Sequence, residues 1–131
     1  MVNLGIVVSD FHKEIAEEML NEAKKTCEEK GFNVVAISFV TGAFDIPLPL
    51  KRLLARTDVD CAVVLGAVVQ GETSHDEVVC FISAEKIAQL SLEFNKPVGY
   101  GVSGPRMSVI QAKARAKEFS KRAVEAVERM L

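Results

Sequence analysis

Cys61-Ala62-Val63-Val64-Leu65-Gly66-Ala67-Val68-Val69 decides the fold. Every position in it is apolar, whereas a strand with one face in water alternates apolar and polar residues. An unbroken apolar run of this length is the pattern of a parallel strand covered on both faces. It is also too short to cross a bilayer. Ser74-His75-Asp76-Glu77 follows with the form of a capping box, a hydroxyl at the cap and a glutamate at the third helical position. The spacing predicts a long helix from there to about Phe94.

The same two periods recur on either side. Leu4-Gly5-Ile6-Val7-Val8 and residues 34–40 are short β-branched runs and read as strands. Over residues 13–30, Ile15, Met19, Ala23 and Cys27 recur at every fourth place among charges, and Gly31 follows as a stop. That is an amphipathic helix. Pro47 fits the first turn of a short helix through Leu54, with Asp45 as its cap. Residues 97–102 read as a fourth strand, ended by Ser103-Gly104-Pro105. The last segment is a helix with one buried stripe, Ala116, Phe119, Ala123, Val127 and Met130, and with Glu118/Arg122 and Glu125/Arg129 at ion-pair spacing.

Strand and helix therefore alternate four times. The expected fold is α/β: a flavodoxin-like three-layer α/β/α sandwich around a four-stranded parallel sheet, joined by right-handed crossovers. With 131 residues and no linker or repeat, we read residues 1–131 as a single domain.

Composition narrows the function. Apolar residues make up 49% and charged residues 26%, the balance of a soluble globular chain. The net charge of −2, with no basic block, argues against nucleic acid as a partner. No signal peptide or membrane span is read, and a cytoplasmic location is the expectation. Cys27, Cys61 and Cys80 lack C-x-x-C or zinc spacing and read as small buried hydrophobes. We expect no metal site.

In folds of this kind a ligand sits beyond the carboxyl ends of the strands. Four loops are then of interest. Gly71-Glu72-Thr73-Ser74 leads into a helix, whose first N–H groups and partial positive charge suit a phosphate. A plain cap that binds nothing has the same sequence. His75 lies in the first turn, where an imidazole, with its ordinary pKa of ~6.5, can move protons near neutrality; a lone histidine there is also an ordinary surface residue. Gly42-Ala43-Phe44-Asp45 offers backbone amides and a carboxylate at a strand end. Phe11 places a ring where it can stack on a flat ligand, or pack under the next helix. His12 reads as solvent-facing and is given no role. Signatures for dinucleotide, P-loop, serine-hydrolase and zinc-protease chemistry are absent.

Together these loops resemble those of the 6,7-dimethyl-8-ribityllumazine synthase family. The matching pieces are Ile6-Val7-Val8-Ser9-Asp10-Phe11, Gly42-Ala43-Phe44-Asp45-Ile46-Pro47, and Leu65-Gly66-Ala67-Val68-Val69-Gln70-Gly71-Glu72-Thr73-Ser74-His75. A fourth is Lys96-Pro97-Val98-Gly99-Tyr100-Gly101-Val102, which runs into Ser103-Gly104-Pro105 in the manner of archaeal members.

The resemblance implies a cofactor-free condensation of 5-amino-6-(D-ribitylamino)uracil with L-3,4-dihydroxy-2-butanone 4-phosphate, releasing phosphate and water. It implies that Phe11 stacks on the pyrimidine, and that Gly42, Ala43, Phe44 and Asp45 hold the ribityl chain. Ala67, Val68, Val69 and Tyr100 would line the ring pocket. Gly71, Glu72 and Thr73 would cradle phosphate, and His75 would transfer protons. Arg115, and less firmly placed Lys121, would reach the phosphate from a neighbouring subunit. Read without the family, Arg115 is an ordinary solvent-facing helix arginine. The family forms pentamers, some closing into sixty-subunit shells, with active sites between adjacent subunits. This chain departs from it at Asp45, where glutamate is usual, and at Tyr100, where phenylalanine is common. Two other readings remain: an archaeal-type riboflavin synthase, and a non-catalytic flavin- or lumazine-binding module.

Overall fold

The computed structural model describes residues 1–131. Strands β1 (Asn3–Ser9), β2 (Asn33–Val40), β3 (Cys61–Ala67) and β4 (Val98–Ser103) alternate with helices α1 (Lys13–Glu29), α2 (Pro47–Leu54), α3 (His75–Phe94) and α4 (Val109–Met130). A single 3-10 turn, Ala43–Asp45, precedes α2. The strands form one parallel sheet in the order β2-β1-β3-β4. No helix is long and apolar enough to cross a membrane.

Alternate residues of the central strands feed two cores. Leu4, Ile6 and Val8 of β1 and Cys61, Val63, Leu65 and Ala67 of β3 pack with α1 and α4. Val7, Ala62 and Val64 point the other way, onto Leu50, Leu53 and Leu54 of α2 and Ile87 of α3. All seven residues of β3 are buried, which is why its sequence shows no alternation. The three-layer sandwich expected from the sequence is the one observed.

Glycine decides how closely α4 approaches the sheet. A Cβ on Gly99 would lie 2.0 Å from the Ala123 carbonyl oxygen, so any larger residue would push the helix off β4. Lys96, in the turn before β4, donates from Nζ to the carbonyls of Leu54 (2.8 Å) and Arg56 (2.9 Å). It thereby satisfies the unpaired end of α2.

Some sequence expectations fail at element ends. The strand expected through Val69 stops at Ala67, because β4 offers no partner beyond Ser103. The Val68 N–H turns to the Ser103 carbonyl (3.0 Å) and the Gln70 N–H to Met107 (2.8 Å). The capping box at Ser74 does not form. Its backbone (φ −85°, ψ 22°) is outside the extended region a cap uses, its hydroxyl makes no cap bond, and Glu77 pairs with Arg106. Asp45 does not cap α2 either. The 3-10 turn intervenes, Ile46 holds the cap position, and the Asp45 carboxylate accepts the Gly42 N–H at 3.2 Å. The reciprocal cap that does exist joins Ser108 and Gln111 at the start of α4. Ser-x-x-Gln carries that signal in the sequence. Of the two anticipated helix ion pairs, Glu118 meets Arg122, while Glu125 and Arg129 form none and the neighbouring Glu128 holds Lys30.

Candidate active site

The strand order places the reversal of connections between β1 and β3, so a crevice opens beyond their carboxyl ends. Gly66 lets the ends of these two strands pack closely, since a Cβ there would sit 1.9 Å from the Ser9 Oγ. The cleft has a volume of about 350 Å³. Phe11, Gly42, Ala43, Phe44, Asp45, Ala67, Val68, Val69 and His75 all line it. Residues from three separate loops thus share one cavity.

Each wall has its own local cause. The Asp10 N–H donates to the Val40 carbonyl at 2.8 Å, which binds the loop after β1 to the end of β2 and turns Phe11 outward. Phe11 is 68% exposed; it does not pack under α1. Ala43 and Phe44 open the 3-10 turn, the positions whose N–H groups find no acceptor inside such a turn. Ala43 is buried, and the Phe44 ring is exposed at the rim. Val68 and Val69 reach the cleft because β3 has already ended.

His75 is the first residue of α3 and is exposed to the cleft. Its N–H is held by the Thr73 hydroxyl at 3.3 Å. Gly71, Glu72, Thr73 and Ser74 form an exposed turn leading into this helix and do not line the cleft. Two residues from the strand ends went unrecognised in the sequence. His12 is half-buried, lines the cleft and meets the Phe11 ring edge to face, which corrects its reading as solvent-facing. Its neighbour relation to Phe11 was the available signal. Thr41, directly after β2, lines the cleft as well.

Tyr100, Arg115 and Lys121 lie elsewhere. Tyr100, on the edge strand β4, lines a separate groove with Ala84, Ile87 and Leu92. Burial, aided by the nearby Cys80, pushes its phenol up to about 12. Arg115 and Lys121 are exposed on α4 and reach no part of the cleft of their own chain. No group of three or more histidine, cysteine, aspartate or glutamate side chains converges as a metal site.

A sequence model of the 6,7-dimethyl-8-ribityllumazine synthase family matches residues 1–131. The chain belongs to that family. Proteins named 6,7-dimethyl-8-ribityllumazine synthase are similar to it across nearly their whole length. One from Metallosphaera sedula is 46% identical over 129 residues, covering 98% of this chain and 85% of that one. Another, from Methanocaldococcus jannaschii, is 45% identical over 131 residues, covering 100% and 92%. A third, from Methanococcus vannielii, is 44% identical over 131 residues, covering 100% and 93%. In this family member the cleft carries one histidine at a helix start, one histidine beside the exposed ring, and a carboxylate turned back onto its own loop.

Proposed function

We propose that this chain is a lumazine synthase, joining 5-amino-6-(D-ribitylamino)uracil to L-3,4-dihydroxy-2-butanone 4-phosphate to make 6,7-dimethyl-8-ribityllumazine, phosphate and water. The observation that carries the proposal is the convergence of Phe11, the 42–45 turn, residues 67–69 and His75 on one cleft in a member of that family.

The chemistry asks for positioning and proton transfer. The amine of the uracil is already a nucleophile, so no activated serine or cysteine is required. Its nitrogen attacks the ketone carbon, and a proton delivered to the oxygen gives a carbinolamine. Loss of water forms the imine. The C–O bond to phosphate then breaks, with a proton lost from the adjoining hydroxyl-bearing carbon, which leaves an enol. A proton taken up at the terminal carbon and lost from the hydroxyl turns it into a methyl ketone. The ribityl nitrogen closes the second ring on this new carbonyl, with loss of water. His75 accepts and returns protons in these steps, an action worth ~10²–10⁴-fold. Phe11 stacks on the pyrimidine, with Ala67, Val68 and Val69 along the ring. Gly42, Ala43, Phe44 and Asp45 hold the ribityl hydroxyls, where Asp45 must first release the Gly42 N–H or accept a second donor on its free oxygen. Gly71, Glu72 and Thr73 receive the phosphate at the start of α3.

Arg115, together with Lys121 further along α4, completes that phosphate site from a neighbouring copy, since neither reaches its own cleft. Its planar fork suits phosphate oxygens. Tyr100 serves the neighbour's ring pocket by the same logic. We assign a homo-pentamer with sites between adjacent subunits. The support is apolar surface beside the cleft: Phe39, Phe44, Leu48 and Ile82 line a groove of about 670 Å³, and Val78, Phe81 and Leu92 are exposed along α3. Single exposed apolar residues are ordinary, but a contiguous set marks a contact surface. The free thiols at Cys27, Cys61 and Cys80 suit a reducing compartment, and we assign the cytoplasm.

Purified protein mixed with both substrates is expected to generate lumazine absorbance in step with phosphate release. Riboflavin formed from lumazine alone would replace this reading with a riboflavin synthase. Binding without turnover would replace it with a carrier module.

A further inference from the structure

The exposed turn 71–75 is held at both feet by two consecutive residues of the β4–α4 connection. At its start the Gln70 N–H donates to the Met107 carbonyl at 2.8 Å. At its end the Asp76 Oδ2 accepts the Arg106 N–H at 2.8 Å. The first tie is backbone to backbone and survives any side-chain change. The second depends entirely on Asp76.

Three observations set Asp76 apart from a surface acid. It is only 3% exposed, although it is an ionisable residue. Its other oxygen, Oδ1, is buried without a partner, an uncommon and costly state for a polar atom. The residue it holds, Arg106, has φ 62°, in the left-handed region that residues other than glycine seldom adopt. Arg106 also pairs with Glu77 at 2.8 Å, but that guanidinium is 74% exposed, and such pairs contribute little. The bond from the Arg106 N–H to Asp76 is shielded from solvent, where a hydrogen bond is electrostatically stronger. Local rules are therefore broken twice at one contact, and breaks of this kind concentrate where a site must be held in shape.

We propose that Asp76 is a positioning residue for the phosphate-binding turn: by fixing the distance between its feet it aims the N–H groups of 71–74 at the phosphate. The inference rests on the lumazine synthase reading and names a residue that does not itself touch substrate. Because Met107 and Arg106 immediately precede α4, the same clip sets the turn against the helix that bears Arg115.

The test uses the assembled protein, first with inorganic phosphate as the probe and then with both substrates. Asp76→Ala is expected to weaken phosphate binding about tenfold, in line with the loss of one hydrogen bond. It should raise the KM for the butanone phosphate to a similar degree, leaving the KM for ribitylaminouracil within about twofold. Asp76→Asn keeps an oxygen that can accept the Arg106 N–H and should restore both values. If Asp76→Ala does not fold, Asp76→Ser keeps a small polar group too short for the bond and should show the same selective loss. Equal rises in both KM values, unmoved phosphate binding, or failure of Asp76→Asn to rescue would each overturn the proposal. Wild-type protein that binds phosphate yet makes no lumazine would instead overturn the functional reading. In that case the selective phosphate loss in Asp76→Ala would still support the clip.

Discussion

The rings of Phe11 and His12 meet edge to face at the mouth of the cleft, with centroids 5.1 Å apart and planes at 69°. The contact braces one side of a Phe11 ring that is otherwise 68% exposed. Under the proposed function these consecutive residues after β1 would supply a stacking platform and its brace.

Phe11→Ala removes an exposed ring, so the core loses little. The KM for ribitylaminouracil is expected to rise by roughly five- to a hundredfold, matching the ~1–3 kcal/mol that stacking a base on an aromatic ring contributes. The thermal midpoint should stay close to that of the parent. Steady-state kinetics and a melting curve on the same preparation check both halves; an unchanged KM would remove the ring from substrate binding.

His75→Ala is expected to slow turnover by ~10²–10⁴-fold while leaving measurable activity, because alignment of the substrates remains. Arg115→Ala should raise the KM for the butanone phosphate. Co-expressed in mixed oligomers, the two variants should recover more activity than either alone, since some sites then draw a wild-type His75 from one chain and Arg115 from the next. Absence of recovery would place the whole site within one chain.

Gly66→Ala and Gly99→Ala test the two closest approaches. At Gly99 the obstacle is the Ala123 backbone, 2.0 Å from the new methyl group, so α4 must move. Overpacking of this kind costs about 1–3 kcal/mol, and a backbone clash belongs at or above the upper end. At Gly66 the nearest atom is the Ser9 hydroxyl, which can rotate, although the Ser9 Cβ at 3.1 Å gives less. Urea unfolding should rank Gly99→Ala as the more destabilised. The reverse order would mean that α4 accommodates the methyl group.

The three cysteines make a prediction for alkaline pH. Burial pushes the thiols of Cys27 and Cys80 from an ordinary 9.0 up to about 11, and that of Cys61 to about 12. Only the thiolate is nucleophilic, so at pH 8 about one folded thiol in a thousand is reactive at Cys27 and Cys80, and about one in ten thousand at Cys61, even before access is considered. A thiol reagent should leave the native protein unmodified and label all three sites once it is unfolded. The linkage has a definite sign. Well below pH 9 the thiols are protonated in both states and contribute no pH dependence. Between 9 and 11–12 the unfolded chain releases protons that the folded chain keeps, so stability falls as pH rises. Urea midpoints collected from pH 8 to 11 should decline. A flat series would show that these thiols titrate alike in the two states.

Much of this protein was legible in one dimension. Apolar residues at every position of 61–69 required a strand covered twice, which the structure ends at Ala67. Fourfold spacing along 13–30 required a helix with one buried stripe, found at Lys13–Glu29, and Pro47 opened α2 as expected. These features are local, set by the pleat and by the helical turn, so they can be read without knowing the neighbours. The loops at strand ends were also identifiable, because a parallel sheet directs its ligands there.

What the loops do to one another required the tertiary structure. Asp45, Ser74 and Glu77 each read as part of a local helix cap, and packing decided otherwise: Asp45 turned to Gly42, Ser74 lost its box, and Glu77 went to Arg106, 29 positions away. The bond from Asp76 to Arg106 spans thirty positions, and no periodicity encodes it. His12 looked like a surface residue until the loop after β1 was tied to β2. Tyr100 and Arg115 lie away from the cleft because an edge strand and an outer helix carry them there. Periodicity reports which face a residue occupies, whereas a site depends on which faces meet, and that is settled by close packing of the whole chain.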